Sequence, residues 1–234
     1  MQVKDRMTSE PIVVTDTTPF EDALRLMRDK KVRRLPVVNK DGRLVGIVAE
    51  RDLLFASPSP ATSLSVFEIH YLLAKMSVHE VMTKRVITVG EDCPLEEAAR
   101  IMVDHKIGSL PVVTGGKLVG IITETDIFKT FVEILGGREP GLRLTLDVTE
   151  GKGVLAVIAS EITRAGGTIL SVASFQAPDA TQRIVYVKVT GAPKEALLPG
   201  LEAAGAKVMD AQEVAPGGYA PAILDGRTKS FGAA

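Results

Sequence analysis

With 234 residues, 45% of them hydrophobic and 24% charged, the chain has material for one or two globular domains with sizeable cores. A net charge of -1 gives no global pull toward nucleic acid or an anionic membrane, and the lack of Trp with only 4% aromatics makes the core aliphatic. The single Cys93 excludes an internal disulfide, and no window has the apolar length of a signal sequence or bilayer span, so the expected location is cytoplasmic, with no membrane and no nucleic-acid partner.

In chain order, the first feature is a segment that occurs twice. MTSEPIVVTDTTPFEDALRLMRDKK from Met7 is answered by MTKRVITVGEDCPLEEAARIMVDHK from Met82, and the register continues through Leu35-Pro36/Leu110-Pro111. The copies lie 75 residues apart and differ by one residue in a later loop. A repeat of this size is a structural unit that buries one face against its twin, with two related clefts between the copies.

Each copy predicts a short strand (12–14; 86–89), then a helix with Pro19 or Pro94 at its first position. Phe20, Ala23, Leu24 and Met27 form one helical apolar stripe; Leu95, Ala98, Ala99 and Met102 form the other. Two strands follow (35–38 and 44–49 in the first copy), joined through Asp41-Gly42, with Gly115-Gly116 as the second copy's turn. A last helix opens near Asp52 or Asp126, giving β-α-β-β-α. Between the copies, Ser57-Pro58-Ser59-Pro60 predicts an irregular connector. A helix follows, with Ser65 and Glu68 at capping-box spacing and an apolar stripe of Val66, Ile69, Leu72, Leu73 and Met76.

After Pro140-Gly141 the pattern changes. Strand 142–148, helix 154–164, strands 169–175 and 183–190, helix 193–204 and strand 207–214 give β-α-β-β-α-β, the ferredoxin-like order. From 215 the Ala/Gly/Pro-rich chain predicts a tail. The expected fold class is therefore α/β (α+β), divided as 1–56, 57–80, 81–137, 141–214 and 215–234.

The repeats resemble a tandem pair of cystathionine-β-synthase-type (CBS) domains, and the third unit resembles an ACT domain, an amino-acid-sensing module; the order is similar to acetoin-utilisation-type CBS/ACT regulatory proteins. The CBS resemblance implies binding of AMP, ADP, ATP or S-adenosylmethionine between the repeats, as a ligand and not as a catalytic cofactor. The family's ribose-phosphate motif matches in full at Gly120-Ile121-Ile122-Thr123-Glu124-Thr125-Asp126. A carboxylate accepts from ribose hydroxyls, and a hydroxyl at a helix N-terminus donates to phosphate. The plain alternative is that Thr123 and Asp126 only cap the last helix. The first copy has Ala49 where the hydroxyl is expected, ahead of Asp52, so the Asp126 cleft is expected to be the better one.

The resemblance further assigns adenine contacts to Val32-Arg33-Arg34 opposite Asp126, and to Ile107-Gly108-Ser109 opposite Asp52, with Thr18 as a polar contributor. In the ACT unit it points to Gly153 and Thr168, although the family's Pro and Asn are replaced here by Lys152 and Thr168. It also implies a homodimer acting on an unknown protein target. His70, His79 and His105 lack metal-ligand spacing, and no phosphate loop for ATP hydrolysis is present. The expected function is a non-enzymatic sensor; the rivals are a ligand-free assembly scaffold and, more remotely, an enzyme of acetoin metabolism.

Overall fold

A computed structural model describes residues 1–56, 68, 75–179 and 181–215; most of the connector helix and the tail fall outside these residues. Two compact units divide the chain at Phe128/Lys129.

In the first unit, α1 (Phe20–Lys30), β2 (Arg34–Val38), β3 (Leu44–Ala49) and α2 (Glu50–Ala56) build the first repeat. A short β1 (Thr8–Ser9) precedes it. The second repeat has α3 (Val78–Val81), α4 (Leu95–His105), β4 (Ser109–Thr114), β5 (Lys117–Thr123) and α5 (Glu124–Ile134). The stripes read from the sequence do the packing: Phe20, Ala23 and Met27 are buried on α1, and Leu95, Ala98 and Met102 on α4. They face Leu35, Val37 and Val48 in one core and Leu110, Val112 and Ile122 in the other.

Three local expectations shift. The strands expected at 12–14 and 86–89 contract to single parallel bridges, Val14 with Val37 and Val89 with Val112. Pro19 and Pro94 are N-caps rather than first helical residues, since ψ of 142° and 139° is extended. Proline offers no side-chain cap, so the first helical N–H groups find outside carbonyls: Phe20 N donates to Met76 O at 3.0 Å and Leu95 N to Met1 O at 3.1 Å. The last helices open two residues before Asp52 and Asp126, leaving Ala49 and Thr123 at their starts.

The repeats exchange their leading segments. Thr8 and Ser9, ahead of the first repeat, pair with Ile121 and Gly120 of the second, while Thr83, ahead of the second, bridges Ile47 of the first. Val3 and Val78 are fully buried, each in the other repeat's core, and each burial stabilises by about 1.5–3 kcal/mol. A capping box fixes each segment, Gln2 with Asp5 and Ser77 with Glu80. Gly46 and Gly120 make room for this exchange. A Cβ at Gly46 would stand 2.6 Å from Met82 Sδ, and one at Gly120 would meet Met7 Sδ and lie 3.1 Å from Thr8 O.

The second unit is a four-stranded antiparallel sheet of β6 (Gly141–Thr149), β7 (Thr168–Gln176), β8 (Gln182–Thr190) and β9 (Lys207–Val214), in the order β7-β8-β6-β9. With α6 (Val154–Arg164) and α7 (Lys194–Ala203) this is the ferredoxin-like arrangement. Leu142, Leu144, Leu146 and Val148 alternate inward on β6, meeting Val185, Val187 and Val189 of β8. Ile158 and Ile162 of α6 and Leu197 and Leu201 of α7 cover that face. On the opposite face Lys188, only 5% exposed, donates to the Gly136 carbonyl at 2.6 Å within the same unit.

Candidate nucleotide site

The motif residues first act on the backbone. Thr123 precedes α5; its N–H donates to Asp126 Oδ2 at 3.0 Å and its hydroxyl to the same oxygen at 2.6 Å. Asp126 N donates back to Thr123 Oγ1 at 3.4 Å, completing a reciprocal cap. Both residues thus cap α5 at this copy. In the first repeat Ala49 has no hydroxyl to give, and Asp52 Oδ2 accepts the Ala49 N–H at 3.1 Å. Gly120, first residue of the motif, serves the approach of Met7 and Thr8.

A cavity of about 460 Å³ opens between the repeats on the Asp52 side, within the 300–1,000 Å³ typical of small-molecule sites. Ile47, Ala49 and Asp52 form its first-repeat wall; Ile107, Gly108 and Ser109 form the opposite one. This brings together the residues expected around Asp52. Ser109, only 5% exposed, lines the cavity with its neighbours Ile107 and Gly108.

Arg33 and Arg34, expected opposite Asp126, line this Asp52 cavity instead. The reason is their place at the start of β2. Arg34 pairs with Ala49 in the β2–β3 ladder, and its guanidinium, like the Glu124 carboxylate, reaches over the Cα of Gly108, where any Cβ would collide with both. Burial lowers the Arg34 pKa from its ordinary value; Arg33 and Arg51 press the same way, while Glu124 and Asp52 offset part of the effect. Thr123, Asp126, Gly120, Val32 and Thr18 are not among the walls. Thr18 instead closes a turn, its Oγ1 accepting from Thr15 N at 3.0 Å.

Sequence reasoning missed Thr83, Arg85, Val86 and Ile87, which also line the cavity, as do Arg51 and Lys106. The signal was present. Thr83 sits in the exchanged segment that bridges β3, so the residues just after it are delivered to the edge of the first repeat's hairpin.

In the second unit a cavity of about 330 Å³ lies at the turn from β6 into α6, lined by Gly153 and Arg183 but not by Thr168, which starts β7 at the surface. Arg183 is engaged there: Nη1 donates to Glu150 at 3.1 Å and Nε to Ser174 Oγ at 3.2 Å. At Cys93, burial raises the thiol pKa, and Glu97 and Glu96 raise it further, which opposes a nucleophilic role. Among the described residues no group of three or more His, Cys, Asp or Glu is arranged to hold a metal ion, and no helix is long and apolar enough to cross a membrane.

Fold and cleft together define a tandem CBS pair followed by an ACT unit, and the chain belongs to the CBS-domain family: the CBS domain matches residues 3–59 and 78–133, and the TTHA0829-like ACT domain matches residues 140–212. Uncharacterized protein MJ1426 of Methanocaldococcus jannaschii is 36% identical over 155 residues, covering 56% of this chain and 92% of that protein. The crystal structure of the AcuB protein of Vibrio cholerae is 36% identical with a TM-score of 0.50, spanning 58% of this chain and 93% of its own. CBSX2 of Arabidopsis thaliana, solved in complex with AMP, is 33% identical with a TM-score of 0.50 over 57% of this chain and 97% of its own. These relatives cover little more than half of this chain.

Proposed function

We propose that this protein is a non-catalytic regulator that binds an adenine nucleotide in the Asp52 cleft between its CBS repeats. The observation that carries this reading is the cavity that joins Asp52 and Ile107-Gly108-Ser109 with a cationic rim. Asp52, already oriented by the Ala49 N–H, accepts from the ribose hydroxyls, and the apolar edge of Ile47, Val86 and Ile107 takes the base. The AMP held by CBSX2 supports this ligand class. Occupancy acts through its different affinity for two arrangements of the repeats, and so biases what an as yet unidentified protein target meets.

The Asp126 cleft is the weaker of the two in this reading, because its threonine and aspartate satisfy one another. The ACT unit serves packing or self-association, since Thr168 stands apart from the Gly153 cavity and Arg183 is already held.

Titration calorimetry with AMP, ADP and ATP tests the site. Asp52→Asn keeps an acceptor for the Ala49 N–H but removes the charge, and it should weaken binding by about 1–3 kcal/mol, the range for a hydrogen bond to a charged group. Asp126→Asn should do markedly less. No heat with any adenine nucleotide, or equal affinity in wild type and Asp52→Asn, refutes the assignment.

A further inference from the structure

Five cations line the Asp52 cavity: Arg33, Arg34, Arg51, Arg85 and Lys106. Three carboxylates, Glu50, Asp52 and Glu124, share its walls, so positive charge is in excess. None of the five cations forms an ion pair with a described residue within 4 Å, unlike Arg100, which binds Glu97 and Asp104 on α4. Converging like charges raise the energy of an empty cleft, and a multiply charged anion relieves that energy in proportion to its charge.

The excess belongs to one cleft. At the offset between the copies, 75 residues before the hairpin loop and 74 after it, Arg85 corresponds to Glu10 and Arg51 to Thr125, so the second copy of the arrangement has a carboxylate and a neutral side chain at these positions. Divergence between the copies has thus separated charge while keeping the backbone frame.

Resting on the nucleotide-binding reading above, we infer that the Asp52 cleft selects by phosphate charge, taking adenosine di- and triphosphates in preference to the monophosphate and discriminating against cationic adenosyl compounds such as S-adenosylmethionine. Arg85 and Arg51 set this preference at the rim. Arg34, fixed over Gly108, and Lys106, beside it at the end of α4, hold the inner part of the phosphate chain. Guanidinium groups suit this work because their planar donors meet phosphate oxygens two at a time. Asp52 and Ser109 remain with the nucleoside, so the phosphates decide rank and the nucleoside decides place.

The test is competitive calorimetry on the full chain with ATP, ADP, AMP, S-adenosylmethionine, adenosine and inorganic triphosphate, at low and high salt. The expected order is ATP, ADP, AMP, then S-adenosylmethionine, with at least about a tenfold gap between first and last, the worth of roughly one charge-assisted contact. Inorganic triphosphate should compete with ATP but bind more weakly, and salt should compress the series. Arg85→Glu should cut the ATP-to-S-adenosylmethionine ratio about tenfold; Arg51→Glu, also at an exposed position, should act in the same direction. S-adenosylmethionine binding as tightly as ATP, or a ratio unmoved by both substitutions, overturns charge selection while leaving the nucleoside site standing. If no adenosine compound binds, the functional reading itself fails, and this inference with it.

Discussion

Lys106 combines two demands at a single residue. It ends α4 in the left-handed region, φ 53°, as Lys31 ends α1 at φ 54°. A side chain there is strained by about 1–2 kcal/mol, which glycine avoids, although glycine also enlarges the entropy of the unfolded chain. Lys31→Gly should therefore stabilise the fold by up to about 1 kcal/mol in urea denaturation, with nucleotide affinity unchanged. Lys106→Gly should stabilise similarly but weaken ATP binding, because it removes a cavity cation. Equal ATP affinity in the two variants would remove Lys106 from the site. The capping pair shows the limit of a motif at this scale: Gly-x-x-Thr-x-x-Asp was legible from residues 120–126, yet its spacing serves a helix cap and a ligand equally well. Only the 2.6 Å bond from Thr123 Oγ1 to Asp126 shows which partner the hydroxyl already has.

Among the elements, the helices and hairpins were legible because their stripes follow the 3.6 and 2.0 periods along continuous chain. The exchanged leading segments were not, although Val3-Lys4-Asp5 and Val78-His79-Glu80 keep the same 75-residue offset. Segments of three to five residues carry no period, and their apolar residues find cores far away in sequence. The glycines of β3 and β5 record the exchange. Gly120→Ala should cost about 1–3 kcal/mol through overpacking against Met7 and Thr8, and Gly46→Ala a similar amount against Met82 and Thr83. Gly90→Ala, with open space around its Cα, is the near-neutral control. Combining Gly120→Ala with Met7→Ala should cost less than the sum of the two, with the residual strain coming from Thr8 O; strict additivity in chemical denaturation would rule out this packing.

For the whole molecule, the homodimer implied by the family resemblance needs an apolar face. Leu54 on α2 and Phe128 on α5 occupy equivalent places in the two repeats and are 52% and 69% exposed, with Phe55 at 80%. Exposed apolar side chains repeated on related helices mark a face suited to another copy of the chain. Sedimentation should show a dimer that Leu54→Glu and Phe128→Glu dissociate without loss of helical content; a monomeric wild-type chain would refute this.

The sequence by itself determined the duplicated β-α-β-β-α frame, the ferredoxin-like second unit and the aliphatic cores. All of these follow from local periodicity and from register between copies, which are properties of the chain in one dimension. The tertiary structure decided which cleft gathers the cations. Arg33, Arg34, Arg51, Arg85 and Lys106 come from four separate stretches of chain, and their shared position depends on strand pairing and on the exchange of leading segments. A charge is felt across a few ångströms of space, whatever the sequence distance, so the electrostatics of the site exist only once the fold has set those separations.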